Sequence, residues 1–203
     1  MRDINRSKNR IKSLLKYQGI EIPAQYAKNN WSQNFLTWIE QQAAKDELLA
    51  DTLLLMLEQM KLLRQLLVKT ERKLRELRNG KYAVKVKLAT SVPGIGATTA
   101  MQFLLEAGDI NRFKGFDALN DFIGFCPDTD SSGETDRDRG ITTRRHKQLR
   151  SALIESAWQA IRVDPALMNS YQELTKRMKG VHAIIRIARK LLRRLRAVLL
   201  TGI

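Results

Sequence analysis

The chain has one cysteine, two histidines, four prolines and few acidic residues for its 203-residue length, and each scarcity excludes something. A single thiol, Cys126, rules out an intrachain disulfide and a multi-cysteine zinc site, and suits a reducing cytoplasm. His146 and His182 supply too little soft ligand for a structural metal, so none is expected here. No run of about 18 uninterrupted apolar residues exists, and the N-terminal MRDINRSKNRIKSLLKY lacks the apolar centre of a signal peptide. No membrane span is expected. Strand-like alternation is also missing, and prolines and glycines are sparse, so the chain reads as all-α.

What is abundant is positive charge. Thirty-six Lys and Arg against 21 Asp and Glu leave a formal net charge of +15, a field that gathers polyanions. It is unevenly spread. From Arg139 to Ile203 fifteen basic residues face three acids, whereas from Glu106 to Asp138 nine acids face three basic residues. Nucleic acid is therefore the leading partner and an anionic membrane surface the second.

Residues from about Ile4 to Tyr17 carry apolar side chains at helical spacing, and Gly19 stops that helix. Ser32 is placed to cap a second helix bearing Phe35, Leu36, Trp38 and Ile39. From about Ala43 to Arg78 there is neither Gly nor Pro, and Leu49, Leu53, Met56, Met60, Leu63, Leu67, Leu74 and Leu77 step by three, four or seven residues. Such a stripe is either the core face of a helix or, at this length, a seam for an antiparallel partner helix or a coiled-coil dimer. Asn79-Gly80 closes it, both residues tolerating the left-handed conformation. The reading is thus a long helical hairpin or coiled-coil arm plus a compact helical domain. Residues 1–42 form an N-terminal helical segment, 43–80 the long helix, 81–160 a domain with a turn and a serine loop, and 161–203 a basic helical tail.

Lys81 to Thr90, then Val92-Pro93-Gly94-Ile95-Gly96, then a helix from Ala97 to Leu105, has the shape of a helix-hairpin-helix. Glycines permit positive backbone angles, and the second helix offers unpaired N–H groups at its start, a phosphate-binding arrangement. Gly94, Ile95, Gly96 and Thr98 are the candidate contacts there. The same pattern also serves as a sharp turn between two core helices. Further on, Phe122-Ile123-Gly124-Phe125-Cys126-Pro127 leads into a polar loop containing Ser131-Ser132-Gly133. A serine hydroxyl needs a base or a metal to become a nucleophile, and serines in a loop most often only shape a turn.

The order PGIG, FKGFDALNDFIGFCP, SSG, seven residues, ITTRRHKQLR and the helix SALIESAW closely resembles the C-terminal domain of the IS one-ten family of insertion-sequence transposases, the Piv-like, bridge-RNA-guided group. The resemblance is strong from Leu88 to Trp158, weaker over the long helix and the N-terminal KNRIKSLLKYQGIEIP, and faint after Asp164. It implies a serine that becomes covalently joined to DNA, here Ser132 with Ser131 as the alternative. Arg150, from the pair Leu149-Arg150, is the matching arginine. Arg139, Arg144, Arg145 and Lys147 are implied phosphate contacts, with Arg145 standing where the family usually has glycine. The family also implies DNA and a structured guide RNA as partners, nucleoid association in a bacterial or archaeal cytoplasm, and a RuvC-like domain whose carboxylates hold a divalent metal such as Mg.

No carboxylate-bearing, strand-rich segment precedes the long helix, so that domain is expected in cis or in trans elsewhere. The chain alone is expected not to cleave DNA. Asp128, Asp130, Glu134, Asp136 and Asp138 do not meet the glycine and glutamate positions of a calcium loop, and read as a solvated loop. The last helix, Val181 to Leu200, sets Ile184, Ile187, Leu191, Leu195 and Val198 on one face, with Arg189 and Arg193 among the nucleic-acid candidates on the other. It has no aromatic membrane anchor on its apolar face. Two functions follow: the catalytic-serine part of a transposase, joining DNA through a phosphoserine intermediate, or a non-catalytic nucleic-acid-binding module or transposase remnant. A homo-oligomer through the long helix is expected.

Overall fold

The computed structural model describes residues 1–26, 31–45, 47–132, 135–141 and 146–203, with backbone alone at 47–48, 127–132 and 135–141. The chain forms two compact units, Met1–Arg75 and Glu76–Ile203. The all-α expectation holds for both, apart from one short hairpin in the second. No described helix is long and apolar enough to cross a membrane.

In the first unit, α1 (Arg2–Tyr17) and α2 (Gln33–Ala43) pack against the first half of α3 (Glu47–Asn79). Ser32 caps α2 as its position predicts, its Oγ accepting from the Phe35 N–H at 3.4 Å. Ile11 and Leu15 of α1, Phe35, Leu36 and Ile39 of α2, and Leu49, Leu53, Leu57 and Met60 of α3 form one core. Phe35 is its centre: Tyr26 and Trp38 stack on it and Trp31 meets it edge-on, with centroids 5.1, 5.8 and 5.2 Å away. Two polar ties reach α3, Lys61 to Glu40 at 2.8 Å and Arg64 to the Trp31 carbonyl at 3.4 Å.

The long helix begins at Glu47, later than the glycine-free run predicts, because α2 ends at Ala43 and Ala44–Lys45 form a turn. Its stripe has two fates. Up to Met60 it is the core face of the three-helix unit; beyond it Leu63 and Leu67 are only half-buried and Leu74 is exposed, and off the stripe Leu62, Leu66 and Val68 are exposed as well. The helix ends at Asn79 as expected, yet Gly80 is not among the described glycines with positive φ.

The second unit contains α4 (Ala83–Thr90), α5 (Ala97–Ala107), a short 3-10 turn (Ile110–Arg112), α6 (Phe116–Ile123), the strands β1 (Pro127–Ser132) and β2 (Thr135–Ile141), and α7 (Lys147–Val163), α8 (Pro165–Thr175) and α9 (Gly180–Thr201). Its core is organised by α9, whose Ile184, Ile187, Ala188, Leu191, Leu192 and Leu195 are all buried. Against them lie Leu153, Ala157 and Ala160 of α7, Leu167 of α8, Val86 and Ala89 of α4, and Leu119 and Ile123 of α6. Each such aliphatic side chain contributes about 1.5–3 kcal/mol on burial, so this face fixes the helix in the unit.

Asp164 joins three helices. One carboxylate oxygen accepts from the N–H groups of Ala166 and Leu167 at 2.9 and 3.1 Å, capping α8, with Pro165 at its first position. The other oxygen pairs with Arg194 of α9. The Arg194 guanidinium, helped by those amides, holds the Asp164 carboxyl below its ordinary range. A depressed folded-state value means that the pair stabilises above the normal aspartate range and that this contribution fades as pH falls through the folded value. Asp164→Asn, which keeps a capping oxygen but loses the charge, is expected to cost about 0.5–1 kcal/mol at neutral pH. In denaturant titrations the gap to wild type should close on acidification; a gap independent of pH would contradict the assignment.

Candidate nucleic-acid site and serine hairpin

The turn between α4 and α5 follows from its residues. Pro93 and Gly94 occupy the middle of a turn closed by the Ile95 N–H donating to the Val92 carbonyl at 3.0 Å, and Gly94 has φ +88°. Proline then left-handed glycine is the type II pattern. Gly94 also lies flat against α7: a Cβ there would fall 2.5 Å from the Ser156 carbonyl oxygen and 2.6 Å from the Ala160 Cβ. Val92 and Ile95 are buried on either side, and the Ser156 Oγ donates to the Thr99 Oγ1 at 3.4 Å. The turn is thereby seated on α7.

Among the four candidate contacts in this turn, Gly94 and Ile95 thus face the protein. Gly96, the N-cap of α5, and Thr98 are exposed, and a Cβ at Gly96 would meet nothing. The open first turn of α5 is where a phosphate oxygen could reach amide donors.

The serine segment, read above as a loop, forms an antiparallel hairpin. Ser132 pairs with Thr135, Ser131 with Asp136, Asp130 with Arg137 and Thr129 with Asp138, with an irregularity before Pro127 pairs with Ile141. Ladder bonds need only backbone groups, so a polar strand without an apolar face leaves no periodic signal. Both serines sit at the end of β1 nearest the connection to β2, and Arg139 lies within β2. Arg144 and Arg145 lie outside the described residues.

The two roots of the hairpin are described in full. At the first, Gly124 takes a left-handed conformation (φ +83°) that ends α6, and its N–H and that of Phe125 both donate to the Asn120 carbonyl at 3.0 Å. Asn120 is fully buried and its Nδ2 donates to the Cys126 Sγ at 2.9 Å. The Cys126 thiol in turn donates to Asp121. Burial, then the Asp121 carboxylate, push the thiol up from its ordinary value, so it stays protonated and is a poor nucleophile.

At the second root, His146 precedes α7, its Nδ1 2.9 Å from the Glu106 carboxylate of α5, its ring 4.4 Å from that of Phe122. Lys147 is exposed beside it. Leu149 is buried, and half-buried Arg150 lies over the Phe125 ring, its guanidinium carbon 6.0 Å from the centroid. Arg150 thus stands at the base of the hairpin, against the residue that precedes Cys126. Among the described residues no cluster of three potential metal ligands occurs.

On the α9 side, Arg189 and Arg193 lie along one face with Arg186 and Lys190. Arg193 packs over the Phe116 ring at 4.6 Å. Sequence reasoning missed the Glu106–His146 pair and the Phe116–Arg193 stack. Each joins residues far apart in the chain, and neither pair carries a motif.

The second unit thus holds the serine-bearing hairpin between α6 and α7, which share one core with the cationic α9. Residues 86–172, from α4 into α8, match the family described as Transposase IS116/IS110/IS902. The chain is 32% identical over 114 residues to the Insertion element IS110 uncharacterized 43.6 kDa protein of Streptomyces coelicolor, covering 56% of this chain and 28% of that relative. It is 39% identical over 67 residues to the transposase for insertion sequence element IS1111A of Coxiella burnetii, covering 33% of this chain and 18% of that relative. The match therefore spans less than a third of either relative.

Gly94→Ala is expected to cost about 2–5 kcal/mol, from a left-handed alanine and a Cβ driven into α7. Gly96→Ala should cost at most about 1 kcal/mol. Thermal or denaturant unfolding of both variants checks the contrast; equal losses would contradict the seating of the turn.

Proposed function

We propose that this chain carries the DNA-joining serine of a transposase of the IS110 type. Ser132 is the nucleophile and Ser131 the alternative. The observation that carries the reading is that the family match at residues 86–172 encloses the hairpin with both serines near its tip, anchored at roots that include Arg150. In the step proposed, the serine oxygen attacks a DNA phosphorus and loses its proton, a serine–phosphate ester forms, and the displaced deoxyribose oxygen leaves as a hydroxyl. The ester keeps the phosphodiester bond energy, and a second DNA hydroxyl can reverse the exchange to join a new end. Arg150 would stabilise charge on the phosphoryl oxygens.

The family resemblance assigns the carboxylates that would hold a divalent metal to a RuvC-like domain in cis or in trans. DNA is the proposed substrate and a structured guide RNA the proposed partner. The net charge supports both, and Gly96, Thr98, Arg139, Arg144, Arg145, Lys147, Arg189 and Arg193 are the proposed contacts, with Gly94 and Ile95 shaping the turn. The helix-hairpin-helix reading of α4 and α5 rests on their seated turn and open α5 start. Self-association through α3 rests on the apolar side chains exposed beyond Met60. The second reading, a nucleic-acid-binding module without chemistry, rests on the same cations and needs no serine.

The test mixes the chain with a partner carrying the acidic domain, guide RNA and DNA, and detects a covalent protein–DNA adduct on denaturing gels. Ser132→Ala is expected to abolish the adduct and Ser131→Ala to retain it. An adduct that survives both substitutions would exclude the serine assignment. Salt-sensitive binding without any adduct would favour the second reading.

A further inference from the structure

The cations of α9 do more than make one face positive. Arg186, Arg189, Lys190 and Arg193 lie at spacings of three, four and seven along the helix, so they share a side, and α9 contains no acidic residue. Among the described residues none of the four has a carboxylate within ion-pair distance, whereas their neighbour Arg194 is paired with Asp164. Two grooves meet along this side. One, of about 240 Å³, is lined by Phe116, Leu174, Arg186, Arg189, Lys190 and Arg193. The other, of about 340 Å³, lies toward α8 and shares Lys190 and Arg193 with the first. The Lys190 ammonium is tethered between them by donating to the Ser170 Oγ at 2.9 Å.

Arg193 differs from its neighbours. Its guanidinium rests 4.6 Å from the centre of the Phe116 ring, and that ring is half-buried against the core, so the arginine has an aromatic support. A supported guanidinium plane is a stacking surface for a nucleobase, and the ammonium and guanidinium groups around it are donors for a phosphate. A duplex keeps its bases stacked on one another and presents phosphates at its edge. It would meet the cations and leave the grooves and the plane unused.

We propose that the α9 grooves are a binding site for an unpaired nucleotide within a nucleic-acid strand. Its phosphate is held among Arg186, Arg189 and Lys190, and its base stacks on the Arg193 plane backed by Phe116. Phe116, which lines the groove, opens α6, and the other end of that helix leads into the serine hairpin, so the groove and the hairpin's first root share one helix. The inference rests on the nucleic-acid part of the proposed function and is independent of the serine chemistry.

The discriminating substitution is Arg193→Lys, which keeps the charge and discards the plane. Fluorescence anisotropy with short labelled oligo-dT and oligo-U strands and a duplex of the same length, at several salt concentrations, reads the result. Arg193→Lys is expected to weaken binding of at least one single strand by about fivefold or more, with an unchanged salt slope, and to leave duplex affinity within about twofold. A loss on oligo-U alone assigns the site to RNA, and a loss on both strands assigns it to unpaired nucleotides of either kind. Phe116→Leu, with folding checked by circular dichroism, should reproduce the pattern. Single-strand affinity unaffected by Arg193→Lys, or an equal loss on the duplex, would overturn the site while leaving nucleic-acid binding intact. Wild-type protein that binds none of the probes would overturn both.

Discussion

The second unit depends on one constraint: α9 must bury an aliphatic face while carrying six Lys and Arg residues and no acid. The apolar face satisfies four other helices at once, so the cations are confined to the remaining surface of a helix that cannot rotate without exposing Leu191, Leu192 and Leu195. Rotation would forfeit several kcal/mol, far more than the modest gain available to any one exposed cation. The fold thus fixes where the positive field points. Asp164 sharpens this by pairing with Arg194, which ties α9 to the start of α8 and leaves Arg186, Lys190 and Arg193 facing outward beside it.

The turn at Pro93 and the serine hairpin are linked through α7. Gly94 is seated on the middle of that helix at Ser156 and Ala160, while the start of the same helix carries His146, Lys147 and Arg150 at the hairpin's second root. The first root is held by the end of α6 through Asn120 and Gly124. A polar hairpin with no apolar face of its own is therefore positioned by the helices at its two ends. Roots held by packed helices are a physical arrangement that suits presenting a hydroxyl to a bulky polyanion.

Much of this was legible in the sequence because it rests on local physics. The Ser32 cap, the start of α5 at Ala97 and the buried face of α9 follow from capping, turn chemistry and period, and each stands where those rules place it. The turn at Ala44–Lys45 was missed because no Gly or Pro marks it. The β-hairpin was missed because its strands alternate nothing apolar. The Glu106–His146 pair and the Phe116–Arg193 stack depend on contacts across 40 and 77 positions, which no local rule foresees. The family resemblance from Leu88 to Trp158 falls within the residues 86–172 that match the transposase family.

Nucleic acid is proposed to lie on the α9 face of the second unit. Lysine-acetylation footprinting of the chain with and without saturating nucleic acid, read by mass spectrometry, tests it most directly. The account predicts strong protection of Lys190 and Lys147, with Lys12 and Lys16 of the first unit modified at nearly their free rates. Protection confined to Met1–Arg75, with Lys190 as reactive in the complex as in the free protein, would contradict it.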